Sequence, residues 1–302
     1  MKAIVISQYG GPEVLEYKDF PDPSPGPDEV LVRVVATSIN PFDLKQRSGD
    51  AKAFAPVDFP GILGLDVAGT VVRFGEKVQG FSVGDRVFGM AGRTYAKRCI
   101  VKAKNLAKIP TALDTAEAAA LPVVTTTGHQ LIMHCSPVHR GQTILVTGAF
   151  GAVGRAAVFA AKSLGATVIA GVRRKRLEQA GELGADIAVP IDNEEAVSSL
   201  KSLDAVADAV DGDTASTLIA KVKAGGIFAS VLGPPENSGD FPAIKVVPVF
   251  AQPDARLLVQ MAEAVVEGRL RIPIVERMPL REASKAHALM ERGVSGKVLL
   301  IA

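Results

Sequence analysis

Three glycines, Gly148, Gly151 and Gly154, recur at every third position directly after an apolar run, Ile144-Leu145-Val146. An Ala-rich segment follows and ends at Gly165, and a second apolar run fills 167–170. Strand, glycine turn and helix in that order set a pyrophosphate on a helix N-terminus, where free backbone N–H groups point at the anion. The spacing departs from the strict G-x-G-x-x-G form, and the flanking strand and helix carry the dinucleotide reading. The end of the second run discriminates between nucleotides. A site for a free ribose 2′-hydroxyl wants Asp or Glu about 20 residues into the unit. Here Gly171 is followed by Arg173-Arg174-Lys175-Arg176. A carboxylate would repel a 2′-phosphate, whereas guanidinium groups hold one by bidentate, charge-assisted hydrogen bonds. Such a basic run is often a solvated surface face. Cations at a helix N-terminus oppose the macrodipole, however, so helix formation does not explain them there. The pattern implies NADPH.

These residues need a scaffold, and the chain is long enough to supply one. Its 302 residues leave room for two domains, each with its own core. Residues 1 to about 113 read as all-β: alternating runs such as 30–35 and 67–72 lie between Pro- and Gly-rich turns. From about Leu113 the texture changes to Ala-rich helix and then to alternating strand and helix. The spacing predicts strands over 204–208 and 226–231 and helices over 214–223 and 254–267. A last helix near 281–292 and a strand over 297–301 close the chain.

Composition bounds the function. Lys and Arg number 34 against 32 Asp and Glu, so no global basic field argues for nucleic acid. No apolar run approaches a membrane span, and the N-terminus enters a strand without a signal-peptide pattern. Cys99 and Cys135 make no disulfide framework, and reduced thiols in a cytoplasmic protein are expected. The four histidines are His129, His134, His139 and His287. His134, Cys135 and His139 superficially suggest a metal site, but ordinary surface histidines at a helix end explain them better.

Six segments in order resemble the medium-chain dehydrogenase/reductase superfamily: 59–69, 83–89, 148–154, 182–186, 223–226 and 296–300. The resemblance is close to full length. It implies an α/β fold: a GroES-like β-barrel domain, residues 1–113 and 271–302, with an inserted Rossmann-type doubly wound parallel sheet, residues 114–270. Zinc members of the superfamily carry a Cys ligand and a Gly-His-Glu motif. This chain has Asn40 and Gly64-Leu65-Asp66 there, so no zinc is expected. What remains resembles the zinc-free quinone oxidoreductase branch, the ζ-crystallin-like NADPH reductases, whose turn usually reads Gly-Ala-Ala/Ser-Gly-Gly-Val-Gly. Phe150 and Ala152 depart from that turn and leave Gly151 and Gly154 in place.

The resemblance also assigns roles. Asn40-Pro-Phe-Asp-Leu-Lys-Gln-Arg-Ser-Gly49 matches the branch's active-site segment, and Asp43-Leu44-Lys45 resembles the Asp-x-Lys of plant enone and alkenal reductases. Lys45 is the expected donor to a carbonyl oxygen. Asn40 is expected on the nicotinamide ribose or substrate, and Asp43 is expected to orient Lys45. Cofactor contacts are expected from Thr125, Gly148, Gly151, Ala152, Val153, Gly171, Arg173, Arg174, Leu232, Gly233 and Lys297. A family Tyr near the 2′-phosphate is Ile191 here, which shifts that recognition onto Arg173 and Arg174. The expected acceptor is a quinone or the C=C bond of an α,β-unsaturated carbonyl. The rivals are an enoyl-thioester reductase and a non-catalytic NADPH- or RNA-binding crystallin-like protein. Residues 245–250 resemble the family's edge strand at a dimer seam, so a homodimer is expected.

Overall fold

The computed structural model describes residues 1–135, 141–210 and 212–302. Contacts group the chain into two compact units. One comprises Met1–Val123, Pro253–Gly268 and Ile272–Ala302; the other comprises Val124–Gln252 and Arg269–Arg271. The helices Thr115–Ala118 and Ala255–Val266, given from the sequence to the nucleotide-binding part, fall in the first unit. The change to Ala-rich texture marks a change of secondary structure, and the border between units lies further on.

The first unit is built on a seven-stranded sheet. Its path runs Ile274–Pro279, Lys297–Ile301, Glu29–Ser38, Asp66–Phe74, Arg86–Met90 and Leu106–Lys108, with Arg98–Lys102 also paired to Glu29–Ser38. A smaller sheet joins Glu16–Asp19, Lys2–Ile6 and Gly61–Ile62. In Glu29–Ser38, Val30, Val32, Val34 and Ala36 are buried on one face, and on the other Arg33 faces out between the buried Leu31 and Thr37. Lys297–Ile301 pairs parallel to Ile274–Pro279 and antiparallel to Glu29–Ser38, which buries Val298, Leu299 and Leu300 completely. The last residues of the chain thereby sit beside Ser38 and Thr37, at the approach to Asn40.

The second unit is a six-stranded sheet, parallel throughout. Strand Thr143–Val146 lies inside, flanked by Thr167–Val172 and then Ile187–Pro190 on one side, and by Leu203–Asp208, Val222–Ser230 and Lys245–Pro248 on the other. In chain order this is 3-2-1-4-5-6, the doubly wound dinucleotide-binding arrangement, whose order reverses at the first strand. Two cores cover its faces. Ile144, Val146, Val168 and Ala170 pack on one side with Leu131, Ala157 and Val158. Leu145, Ile169, Val206 and Phe228 pack on the other with Leu218 and Ile219. The helix expected over 214–223 spans Asp213–Ile219, because Val222 is taken as a strand partner by Leu203. Tertiary pairing overrides local helix preference there.

Candidate active and cofactor sites

The glycine turn follows strand Thr143–Val146 and opens the helix Ala152–Ser163. Gly148 adopts φ +59°, the left-handed region. A Cβ at Gly154 would stand 2.2 Å from the Gly148 carbonyl oxygen, and one at Gly151 3.1 Å from the same atom. Gly154 is therefore the more demanding position: it lets the first helical turn press against the end of the strand. Gly151 is the N-cap and supplies no side-chain cap, so the first-turn N–H groups of Ala152 and Val153 face outward from an uncapped helix end. That is the arrangement that holds a pyrophosphate.

The other expected cofactor residues of this unit gather at the same edge of the sheet. Gly171 is in the next strand, where a Cβ would press on the Val146 carbonyl at 3.1 Å. Leu232 and Gly233 follow the strand Val222–Ser230, Gly233 at φ +120°. Arg173 and Arg174 leave the end of Thr167–Val172; both are exposed, and among the described residues neither guanidinium has a partner. The main-chain N–H of Arg174 donates to Asp192 Oδ1 at 2.7 Å, which fixes the turn beneath both side chains. Arg176 is used differently: its guanidinium lies 3.8 Å from the centre of the Phe150 ring, a cation–π stack onto the glycine turn itself. Arg155 flanks the same ring at 5.4 Å. Thr125 is buried in the helix Pro122–His134.

Sequence reasoning did not single out a buried carboxylate at this edge. Asp208 ends strand Leu203–Asp208 and accepts from Thr147 Oγ1 and Ser230 Oγ, each at 2.8 Å, tying three parallel strand ends together. An acid closing an apolar run, as in Ala205-Val206-Ala207-Asp208, was the available signal.

In the first unit, Asn40 caps the helix Pro41–Ser48. Its side chain is 1% exposed and wholly engaged: Oδ1 accepts from Lys297 Nζ at 2.6 Å, and Nδ2 donates to Asp66 Oδ2 at 2.8 Å. Lys297 also donates to the Ile39 carbonyl at 3.0 Å and lies 3.4 Å from Asp66. Asp66 further accepts from Ser38 Oγ and from the Val123 N–H. Burial pulls the Lys297 ammonium below its ordinary pKa, and the Asp66 and Asp43 carboxylates oppose that pull. Both Asn40 and Lys297, expected to touch the cofactor, are thus interior residues that shape the loop ahead of the helix.

The expected Asp43–Lys45 pairing is corrected. Asp43 is completely buried and accepts from the Asn40 N–H at 2.8 Å and from Tyr95 Oη at 3.1 Å, while Lys45 is exposed. Positions two apart on a helix point to opposite sides, so the carboxylate that caps the helix turns away from Lys45. Tyr95 and His287, which belong to no motif read from the sequence, complete this buried network together with Arg47 of the Asn40–Gly49 segment.

Among the described residues no three His, Cys, Asp or Glu side chains are grouped to hold a metal. Of the His134, Cys135 and His139 grouping, His139 lies outside the described residues. Among the described residues no helix is long and apolar enough to cross a membrane.

A GroES-like barrel unit and a parallel sheet of order 3-2-1-4-5-6 with a glycine turn after its first strand define a two-domain nucleotide-dependent dehydrogenase fold. The family description "Alcohol dehydrogenase GroES-like domain" matches residues 26–111, and "Zinc-binding dehydrogenase" matches residues 183–300. A chloroplast envelope quinone oxidoreductase homolog of Arabidopsis thaliana is 32% identical over 322 aligned residues, spanning 99% of this chain and 98% of its own. An NADPH-dependent alkenal/one oxidoreductase of the same plant is 32% identical over 246 residues, 77% of this chain and 63% of its own. The crystal structure of Escherichia coli quinone oxidoreductase complexed with NADPH matches with a TM-score of 0.88 at 26% identity, covering 100% of both chains. The chain belongs to the medium-chain dehydrogenase/reductase family, alongside its quinone oxidoreductases, and is an oxidoreductase.

Proposed function

We propose that the chain is an NADPH-dependent, metal-free reductase of quinones or of the C=C bond of α,β-unsaturated carbonyls. The observation that carries this reading is the end of strand Thr167–Val172. Gly171 stands where a 2′-hydroxyl site wants a carboxylate, and two exposed guanidinium groups, unpaired among the described residues, follow at Arg173 and Arg174. The complex of the E. coli relative with NADPH and the name of the alkenal/one relative support it.

The fit is local and physical. The N–H groups of Ala152 and Val153 would take the pyrophosphate, Gly148 and Gly154 leave room for the backbone to approach it, and Arg173 with Arg174 would hold the 2′-phosphate. Thr125, Leu232 and Gly233 would border the nicotinamide. Bound NADPH supplies the hydride. Lys45, exposed on the helix Pro41–Ser48, would donate to the acceptor's carbonyl oxygen and stabilise the anion that develops there. Asn40, Asp66 and Lys297 hold the loop before that helix. Their chemistry favours the metal-free reading: Lys297 places a cation 2.6 Å from the Asn40 oxygen, where a second cation would be repelled.

A homodimer in a cytoplasmic setting fits the same reading. Among the described residues, strand Lys245–Pro248 is paired on one side only, and Phe250 just beyond it is 68% exposed, which leaves an edge for a second copy.

The test is NADPH oxidation by chelator-treated protein with 1,2-naphthoquinone and a short trans-enone in parallel. Turnover that survives chelation supports the metal-free reductase, and the preferred acceptor separates quinone from enone chemistry. Lys45→Ala should lower turnover on the preferred acceptor with NADPH affinity intact; unchanged turnover on both acceptors removes Lys45 from the mechanism.

A further inference from the structure

Tyr95 is among the largest fully buried side chains, and its hydroxyl sits in a directed chain of hydrogen bonds. Arg47 NH1 lies 3.4 Å from His287 Nδ1. A guanidinium only donates, so Nδ1 is the acceptor and the imidazole carries its proton on Nε2. That N–H points at Tyr95 Oη, 3.1 Å away, and the Tyr95 hydroxyl donates onward to Asp43 Oδ2 at 3.1 Å. The Tyr95 and His287 rings meet edge to face, 5.6 Å between centroids and 89° apart. Burial, with the Arg47 charge beside it, holds the imidazole neutral, its pKa pushed down to about 3.

The chain ends on a capping group. Asp43 Oδ2 also accepts the Asn40 N–H at 2.8 Å, so this one carboxylate oxygen closes the first turn of the helix Pro41–Ser48. Its other oxygen, Oδ1, is buried and has no partner among the described residues. The charged and titratable groups packed around Asp43 are Asp66 and Lys297 beyond Asn40, Tyr95, His287 from the helix Ala283–Glu291, and Arg47 from its own helix, itself paired with Glu291. Gly64 seats the tyrosine, since a Cβ there would come within 2.4 Å of the Tyr95 ring.

We propose that Tyr95 and His287 are positioning residues: they hold Asp43 as a carboxylate on the Asn40 amide, and so fix the first turn of the helix that presents Lys45. The kinetic consequence rests on the reductase reading; the structural one does not. Burial pushes the Asp43 carboxyl up to about 7, while the Asn40 N–H and the Tyr95 hydroxyl favour its charged form. Protonation near neutrality therefore weakens the cap, and removing the Tyr95 hydroxyl brings that loss on at higher pH.

The experiment is an NMR pH titration of the isotope-labelled full chain, reading the Asp43 carboxyl carbon and the Asn40 amide. Both should move together with a midpoint near 7 in the wild type, and Tyr95→Phe should raise that midpoint by about one unit. His287→Gln should shift it in the same direction, which keeps the test open if Tyr95→Phe does not fold. In Asp43→Asn the Asn40 amide should stop titrating. The turnover number should follow the same midpoint while the dissociation constant for NADPH stays flat. An Asn40 amide that does not respond between about pH 5.5 and 8.5, or a variant midpoint equal to the wild type's, overturns the proposal. Because the titration is read on the free protein, failure of the reductase reading would be seen separately, as absence of turnover.

Discussion

Lys297 Nζ stands 2.6 Å from Asn40 Oδ1 across 257 residues of chain. The last strand thus reaches back to the turn that starts the helix carrying Lys45, and a buried ammonium fixes the orientation of the Asn40 amide. Lys297→Met removes that charge and leaves Asp66 buried without its cation. Breaking a buried pair from one side costs about 3–5 kcal/mol, so urea unfolding should report a loss of that order. A loss under about 1 kcal/mol would mean that the pair is not integral to the fold.

The glycine turn predicts an asymmetry. A methyl at Gly154 would collide with the Gly148 carbonyl at 2.2 Å, whereas one at Gly151 meets it at 3.1 Å. Gly154→Ala should abolish NADPH binding in a fluorescence titration, and Gly151→Ala should weaken it modestly. Equal effects would show that the close approach at Gly154 does not organise the site.

Arg173→Glu combined with Arg174→Glu should weaken NADPH selectively. Each lost charged hydrogen bond is worth about 1.5–3 kcal/mol, and NADH has no 2′-phosphate to lose. A parallel fall in both affinities would sink the clamp.

His287 and Asp43 bend the stability curve in opposite directions. The His287 pKa is about 3 when folded against 6.5 for a free imidazole, so the unfolded chain binds the extra proton and stability falls as pH drops from about 6.5 towards 3. Asp43 is near 7 when folded against 3.8 free, so its contribution declines as pH rises between those values. Chemical unfolding at several pH values should find a shallower acid limb in His287→Gln, and in Asp43→Asn a stability that erodes less from about pH 4 to 7. Unchanged slopes in both variants would contradict the buried, neutral imidazole and the raised carboxyl.

Much of the nucleotide-binding unit was legible in the sequence because its signals are local. Strand runs, the glycine spacing and the basic residues after Gly171 lie within one short segment, and the structure brings Gly148, Gly171 and Gly233 to one edge of the sheet. The barrel site was less legible because it is assembled from distant positions. Asn40, Asp66, Tyr95, His287 and Lys297 come from five separate segments, and no spacing rule links them. Asp43 misled for a related reason: adjacency to Lys45 in sequence suggested a pair, while helix geometry sends the two side chains apart. The stack of Arg176 on Phe150 was hidden likewise, since both residues were read as parts of separate motifs.

The choice of nucleotide is read from the initial rate of oxidation with NADPH and with NADH at one concentration of the preferred acceptor. NADPH should be oxidised, and the rate with NADH should be lower by at least tenfold, the loss of about 1.4 kcal/mol or more that one charged contact to the 2′-phosphate represents. Equal rates with the two nucleotides, or binding of NADPH with no oxidation on any acceptor, would contradict the NADPH-dependent reductase.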